Sequence, residues 1–270
     1  NLVGLQSKMK QNKNLEKFYD GVYKKGEEKH FTQTITTGGG SEEADEILKE
    51  LNWKSKKILD VGCGTGYFSY NASKKGANVL GIDFSAEAIE IAQNNYQHPN
   101  LKYQQMDVKK IRGKYDVIIS IGTLEHMDNP LQILKLFKKH LNLKGKIIIT
   151  SPNWTNPRGY ILMTLLFLFN ASITLADLHY QTPVDFKKYA DNLNMKLKWR
   201  TIEKSWAHGD ILIQDLQKRL PNVLKDSNLP MNPKNIKNFI QWLKENVLPL
   251  ENSLPQSGAT GLYVFSKKNL

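Results

Sequence analysis

The sequence predicts an α/β chain built on a mostly parallel, seven-stranded sheet with helices on both faces. Two observations carry this. Short runs rich in Ile, Leu and Val alternate with stretches of helical periodicity through residues 57–150, the pattern of strands joined by crossover helices. The first run is followed at once by Gly62, Gly64 and Gly66, a turn that feeds a helix. At 270 residues the chain accommodates one such domain with additions.

The elements follow in order. Leu15, Phe18, Tyr19 and Val22 have helical spacing, and Gly38 to Gly40 break the chain. Ser41 is placed to cap a helix whose first turn is acidic (Glu42, Glu43, Asp45, Glu46) and whose apolar face continues through Leu48 and Leu51. Ile58 to Val61 is the first strand, and Tyr67 opens a helix. Asn78 to Asp83 is the second strand, and Ser85 caps a helix over Ala86 to Asn95. Tyr103 to Val108 and Tyr115 to Ser120 are the third and fourth strands. Asn129-Pro130 opens a helix to His140, with Leu131, Leu134, Phe137 and Leu141 facing inward. Gly145 to Thr150 is the fifth strand. Beyond Pro152 the spacing loosens. Residues 153–194 exceed a plain crossover: Ile161 to Phe169 reads as a buried helix, and Asp185 to Leu193 as another. Met195 to Ser205 is the sixth strand. Residues 206–257 hold two more helices, Asp210 to Leu220 and Lys234 to Val247, and Gly261 to Ser266 is the last strand. The expected organisation is an N-terminal helix or lid over residues 1–40, then one domain over 41–270. Insertions at about 153–194 and 206–257 would supply a substrate pocket.

A glycine turn between a strand and a helix suits a ligand that presses on bare backbone. The spacing is G-x-G-x-G rather than the G-x-G-x-x-G of dinucleotide sites, and no P-loop lysine follows. Asp60, before the first glycine, repels pyrophosphate but answers an ammonium group, which S-adenosylmethionine carries. Asp83 ends the second strand, 17 positions after Gly66, near the spacing of an acid that binds a ribose diol. Asp107 follows the third strand. Leu124-Glu125-His126-Met127 follows the fourth.

This series, from about Lys57 to Pro152, resembles the class I S-adenosylmethionine-dependent methyltransferases, a Rossmann-like fold. It is similar to their small-molecule branch, that of the quinone O-methyltransferases. The resemblance implies S-adenosylmethionine as cofactor and S-adenosylhomocysteine as product. Asp60, Gly62, Cys63, Gly64 and Gly66 would line the methionine and ribose end. Asp83 would hold the ribose hydroxyls and Asp107 the adenine. Phe84, Met106 and Val108 would pack beside the base. Cys63, the only cysteine, is a small packing residue in the turn rather than a nucleophile.

The sulfonium is already activated, so catalysis needs alignment and, for a hydroxyl nucleophile, a base. His126 and Glu125 are the catalytic candidates. Quinone O-methyltransferases carry E-x-x-E-H here and bind a divalent metal with it. In this chain the first acid is replaced by Gly122, so no metal is expected. His179 is the one further ligand the insertion offers. Trp154, Arg158, His179, Tyr180, Trp206 and His208 are the substrate-binding candidates, with Arg158 suited to a carboxylate or phosphate. The apolar run 161–169 also fits a lipophilic acceptor or a membrane surface.

The formal net charge is +12, carried mostly by scattered lysines, so nucleic acid is an unlikely partner. A small-molecule acceptor with an oxygen nucleophile is the leading expectation. The alternatives are an RNA methyltransferase and a non-catalytic cofactor-binding partner subunit. One cysteine excludes an intrachain disulfide, and the polar, Lys-rich N-terminus does not read as a secretory leader. Cytoplasm is the expected compartment.

Overall fold

The computed structural model describes residues 42–171, 173–174, 177–202, 209–248 and 257–268. The N-terminal helix and lid expected over 1–40, the Ser41 cap, Trp206 and His208 lie outside the described residues. Among the described residues there are seven strands and eight α-helices, in the order α1 Glu42–Ile47, β1 Lys57–Val61, α2 Tyr67–Lys74, β2 Asn78–Asp83, α3 Ala86–Asn95, β3 Leu101–Gln105, β4 Tyr115–Ile121, α4 Pro130–Lys139, β5 Leu141–Pro152, α5 Pro157–Phe169, α6 Pro183–Asn192, β6 Met195–Ile202, α7 Gly209–Asp226, α8 Pro233–Asn246 and β7 Thr260–Lys267.

The strands form one sheet in the order β3-β2-β1-β4-β5-β7-β6. β1 to β5 are parallel, and β7 runs antiparallel between β5 and β6. Both faces are covered, which is why the inner strands read as continuous apolar runs rather than alternating ones. On one face Leu59, Ile118, Ile147, Tyr263 and Phe265 meet Leu134 and Phe137 of α4 and Phe186 of α6. On the other, Ile58, Val79, Val117 and Ile148 meet Ile47 of α1 and Phe68 and Ala72 of α2, with Trp53 beside them. Burying side chains of this size stabilises by about 1.5–3 kcal/mol each.

Capping chemistry sets several helix starts. The Ser85 hydroxyl accepts from Ala88 N at 3.2 Å. Asn129 Oδ1 accepts from Gln132 N at 3.1 Å, with Pro130 in the first turn. Where boundaries differ from expectation, tertiary packing decides. β3 stops at Gln105, so Asp107 leaves the strand and caps a short 3₁₀ turn by accepting from Lys109 N at 2.8 Å. α7 continues through Pro221 to Asp226 because Leu220 and Val223 on either side are buried. In α4, Ile133 is buried while Leu131 is only partly so.

α5 departs most. It was expected to be buried, yet only Gly159 and Leu162 are. Ile161 and Leu165 pack on the α7–α8 pair, while Phe167, Leu168 and Phe169 are 52%, 70% and 51% exposed. A helix that is apolar all round cannot be covered by neighbours on one side alone. No helix among the described residues is long and apolar enough to cross a membrane.

The chain leaves β1 for β2 on one side and later returns to β4 on the other. A crevice therefore opens beyond the carboxyl ends of β1 and β4, where open α/β sheets bind ligands.

Candidate active site

The glycine turn sits at that crevice. Gly62 N and Cys63 N donate to Ile82 O at 2.8 and 3.0 Å, and Gly64 N donates to Asp83 Oδ2 at 3.0 Å. Two glycines are required by geometry. Gly62 has φ +72°, and a Cβ there would lie 2.5 Å from Thr123 Oγ1. Gly66 has φ +90°, and a Cβ there would collide with the Tyr103 hydroxyl, which donates to Gly66 O at 3.0 Å. Asp60 is buried beneath the turn and accepts from the Ser69 hydroxyl at 2.7 Å. Burial, with some help from Asp83, pushes its carboxyl up to about 7. Cys63 is half-buried, and burial pushes its thiol up, away from a reactive thiolate.

A cleft of about 940 Å³ opens from this turn. It brings together Gly62, Asp83, Phe84, Met106, Asp107, Val108 and His126 from the expected set. Gln104, Gln105, Arg112, Thr123, Asn129 and Gln132 also line it, and the sequence reading missed them. Polar residues flanking strand ends carry no motif, so only the sheet order could reveal them. Asp83 also accepts from Ser85 N at 3.0 Å, so its carboxylate is held at the cleft wall by two backbone donors. The cleft fits an adenosine-like group: carboxylates for hydroxyl and amino donors, apolar Phe84, Met106 and Val108 for a base, and bare backbone at the glycines. Asp60, Cys63, Gly64 and Gly66 lie behind or beside the lining rather than in it.

β4 leads into a short 3₁₀ turn, Leu124–His126, whose three residues are all buried. Glu125 is 3% exposed, and its Oε2 has no hydrogen-bond partner among the described residues. Burial, then Asp177, raises its carboxyl well above the usual carboxylate range. His126 Nδ1 lies 3.4 Å from Asp177 Oδ1. One oxygen or nitrogen of each of Glu125, His126 and Asp177 falls within 4.8 Å of the others. Glu43 of α1 adds a further buried acid nearby, accepting from the hydroxyls of Thr150 at 2.5 Å and Thr260 at 3.3 Å. Burial raises its carboxyl as well. Asp177 was not singled out from sequence, since nothing in the chain order puts it beside His126.

The other expected substrate residues scatter. His179 turns its Nε2 to Met127 O at 2.9 Å and does not join the Glu125–His126 group. Tyr180 packs edge-on against Trp154 at 5.1 Å between ring centroids. Trp154 is buried, and its indole N–H has no partner among the described residues. Arg158 is committed to an ion pair with Asp215 at 2.9 Å, which Arg219 also grips at 2.8 Å. None of these four lines the cleft.

The sequence matches the family described as a methyltransferase domain over residues 52–229, more than half of the chain. It is 33% identical over 116 residues to the ubiquinone biosynthesis O-methyltransferase of Aeromonas salmonicida, covering 41% of this chain and 48% of that protein. The chain thus spans about half the length of the curated relatives it matches. Among solved structures, a methyltransferase of Archaeoglobus fulgidus superposes with a TM-score of 0.55 at 16% identity, covering 84% of this chain and 95% of that one. A methyltransferase of Mesorhizobium loti gives 0.53 at 14% identity over 84% and 99%. At such identities the likeness is one of fold.

Proposed function

This chain belongs to the methyltransferase-domain family, and we propose that it methylates a hydroxyl oxygen of a small, largely apolar acceptor. S-adenosylmethionine is the donor and supplies a methyl group already activated on a sulfonium. One observation carries the reading: His126 lines the same cleft as Gly62, Asp83, Phe84, Met106 and Asp107. A candidate base and a nucleoside-shaped pocket therefore share one space.

The residues divide the work. Backbone at Gly62, on the cleft wall, admits the donor closely, while Asp60 braces the turn from beneath through Ser69 and Gly66 leaves room for Tyr103. Asp83 accepts from the ribose hydroxyls and Asp107 from the adenine amino group, while Phe84, Met106 and Val108 exclude water from the base. His126 takes the acceptor's hydroxyl proton as its oxygen attacks. Burial favours the neutral form of Glu125 beside it, which limits repulsion of a developing oxyanion. We expect residues of the insertions after β5 and β6 to meet the acceptor. Trp154, whose indole N–H has no partner among the described residues, is the first candidate for a contact there.

Two further features support an apolar acceptor. The last turn of α5 leaves Phe167, Leu168 and Phe169 exposed, a surface suited to a lipid bilayer or a prenylated substrate. The curated relatives bear the name of a ubiquinone-biosynthesis O-methyltransferase. The test is His126→Ala, assayed for methyl transfer from labelled S-adenosylmethionine to a panel of phenols and hydroxyquinones. A loss of 10²-fold or more with unchanged S-adenosylhomocysteine affinity is expected. Full activity in the variant would refute the base.

A further inference from the structure

We infer that Asp177 is a positioning residue: it holds the His126 imidazole in the tautomer that presents a basic Nε2 to the acceptor. The inference rests on the reading of His126 as the base.

The geometry begins with the backbone. Leu178 N and His179 N both donate to Glu125 O, at 3.0 and 3.1 Å. The His179 ring reaches Met127 O at 2.9 Å. Three contacts thus strap residues 177–179 across residues 125–127 and fix where Asp177 can point. It points at His126, Oδ1 to Nδ1 at 3.4 Å, with the two side chains only 12% and 10% exposed. That separation is longer than a closed hydrogen bond, and such pairs tighten when charge develops on the ring. A carboxylate at Nδ1 accepts from Nδ1–H and leaves the lone pair on Nε2, across the ring.

The groups facing Asp177 come from every neighbouring element. His126 and Glu125 face it from the turn after β4. Arg158 on α5 and Arg219 on α7 act on it as cations, and Thr174 and Tyr180 flank it within its own segment. Among the described residues Arg158 and Arg219 share one acid, Asp215, and both also act on Asp177. Burial raises the Asp177 carboxyl above the usual carboxylate range, and His126 and these two cations oppose that shift. During transfer the acceptor's O–H bond breaks and its proton passes to Nε2. The oxygen pair forms the bond to the methyl carbon, and the C–S bonding pair returns to sulfur. The imidazolium so formed is stabilised by Asp177 at Nδ1.

The experiment reads the ring directly and needs no acceptor. The full chain is labelled with ¹⁵N-histidine, saturated with S-adenosylhomocysteine, and its ring nitrogens are followed by NMR at alkaline pH. His126→Gln assigns the signal. The wild-type ring is expected as the Nδ1–H tautomer. Asp177→Asn and Asp177→Ala are both expected to move it to Nε2–H, with the thermal midpoint showing that each variant is folded. A wild-type Nε2–H ring, or Nδ1–H persisting in both variants, would overturn the inference. So would broadening of the His126 signals by stoichiometric Mn²⁺, which would give these side chains to a cation instead. Failure here leaves the base reading to the His126→Ala assay, so the two failures are distinguishable.

Discussion

At Gly62 and Gly66 the chain has no freedom to carry a side chain. Gly62→Ala adds a Cβ 2.5 Å from Thr123 Oγ1 at a positive φ. It is expected to cost about 1–3 kcal/mol of stability and to weaken S-adenosylhomocysteine binding at least tenfold. Denaturant titration and calorimetry would measure the two effects. Asp60 gives a prediction with a sign. Unfolded, its carboxyl ionises near 3.8, whereas folded it keeps its proton up to about 7. The folded state therefore binds more protons between those values, and stability of the ligand-free protein falls as pH rises from about 4 to about 7. The contribution is up to about 4 kcal/mol at 1.36 kcal/mol per pKa unit. Asp60→Asn, which keeps an oxygen for Ser69, should flatten that part of the stability–pH curve. An unchanged slope would show that Asp60 ionises normally. Gly62, Gly66 and Asp60 were all legible in sequence, because a turn of this kind needs contiguous residues and local torsions. Asp177 was not, because its relation to His126 is made by chain segments fifty residues apart.

Among the elements, α5 and α7 carry the predictions. Asp215 on α7 pairs with both Arg158 from α5 and Arg219 one turn along its own helix, with the carboxylate side chain 9% exposed. Removing it takes from two poorly solvated guanidiniums the carboxylate they contact, leaving Arg219 only its bond to Ile173 O among the described residues. Asp215→Ala should cost about 3–5 kcal/mol by chemical denaturation. The paired change Asp215→Ala with Arg158→Met should recover part of it. The exposed turn of α5 behaves oppositely. Phe167→Ser with Leu168→Ser is expected to leave stability within about 0.5 kcal/mol. If this turn meets a bilayer or a prenyl chain, the same change reduces sedimentation with phosphatidylglycerol vesicles. Wild-type and variant sedimenting alike would remove the membrane contact from the proposal. Periodicity located both helices, but it could not say that Arg158 spends its fork on Asp215 rather than on a ligand. Nor could it say that α5 keeps one side bare. An all-apolar helix has no face in its sequence, so its orientation is set only by what it packs against.

At the scale of the whole molecule, a cleft at the β1–β4 switch point sits on the same sheet that carries helical insertions after β5 and β6. S-adenosylhomocysteine at 100 times its Kd should stabilise the chain by about 2.7 kcal/mol, visible as a rise in Tm, while NAD at the same concentration should not. Equal shifts from both would contradict the ligand assignment. By itself the sequence determined the strand and helix order, the glycine turn, the acids at the strand ends and the Glu125-His126 step. Each is encoded by neighbours along the chain: period, cap, turn torsion and a side chain at a strand's end. Only the tertiary structure decided which side chains share a space. Sheet order placed His126 in one cleft with Gly62, Asp83 and Asp107. The folding of the insertion put Asp177 at His126 Nδ1, locked Arg158 onto Asp215 and turned His179 to a backbone carbonyl. Those pairings join segments far apart in sequence, and burial and charge balance, which arise only when the segments meet, select them.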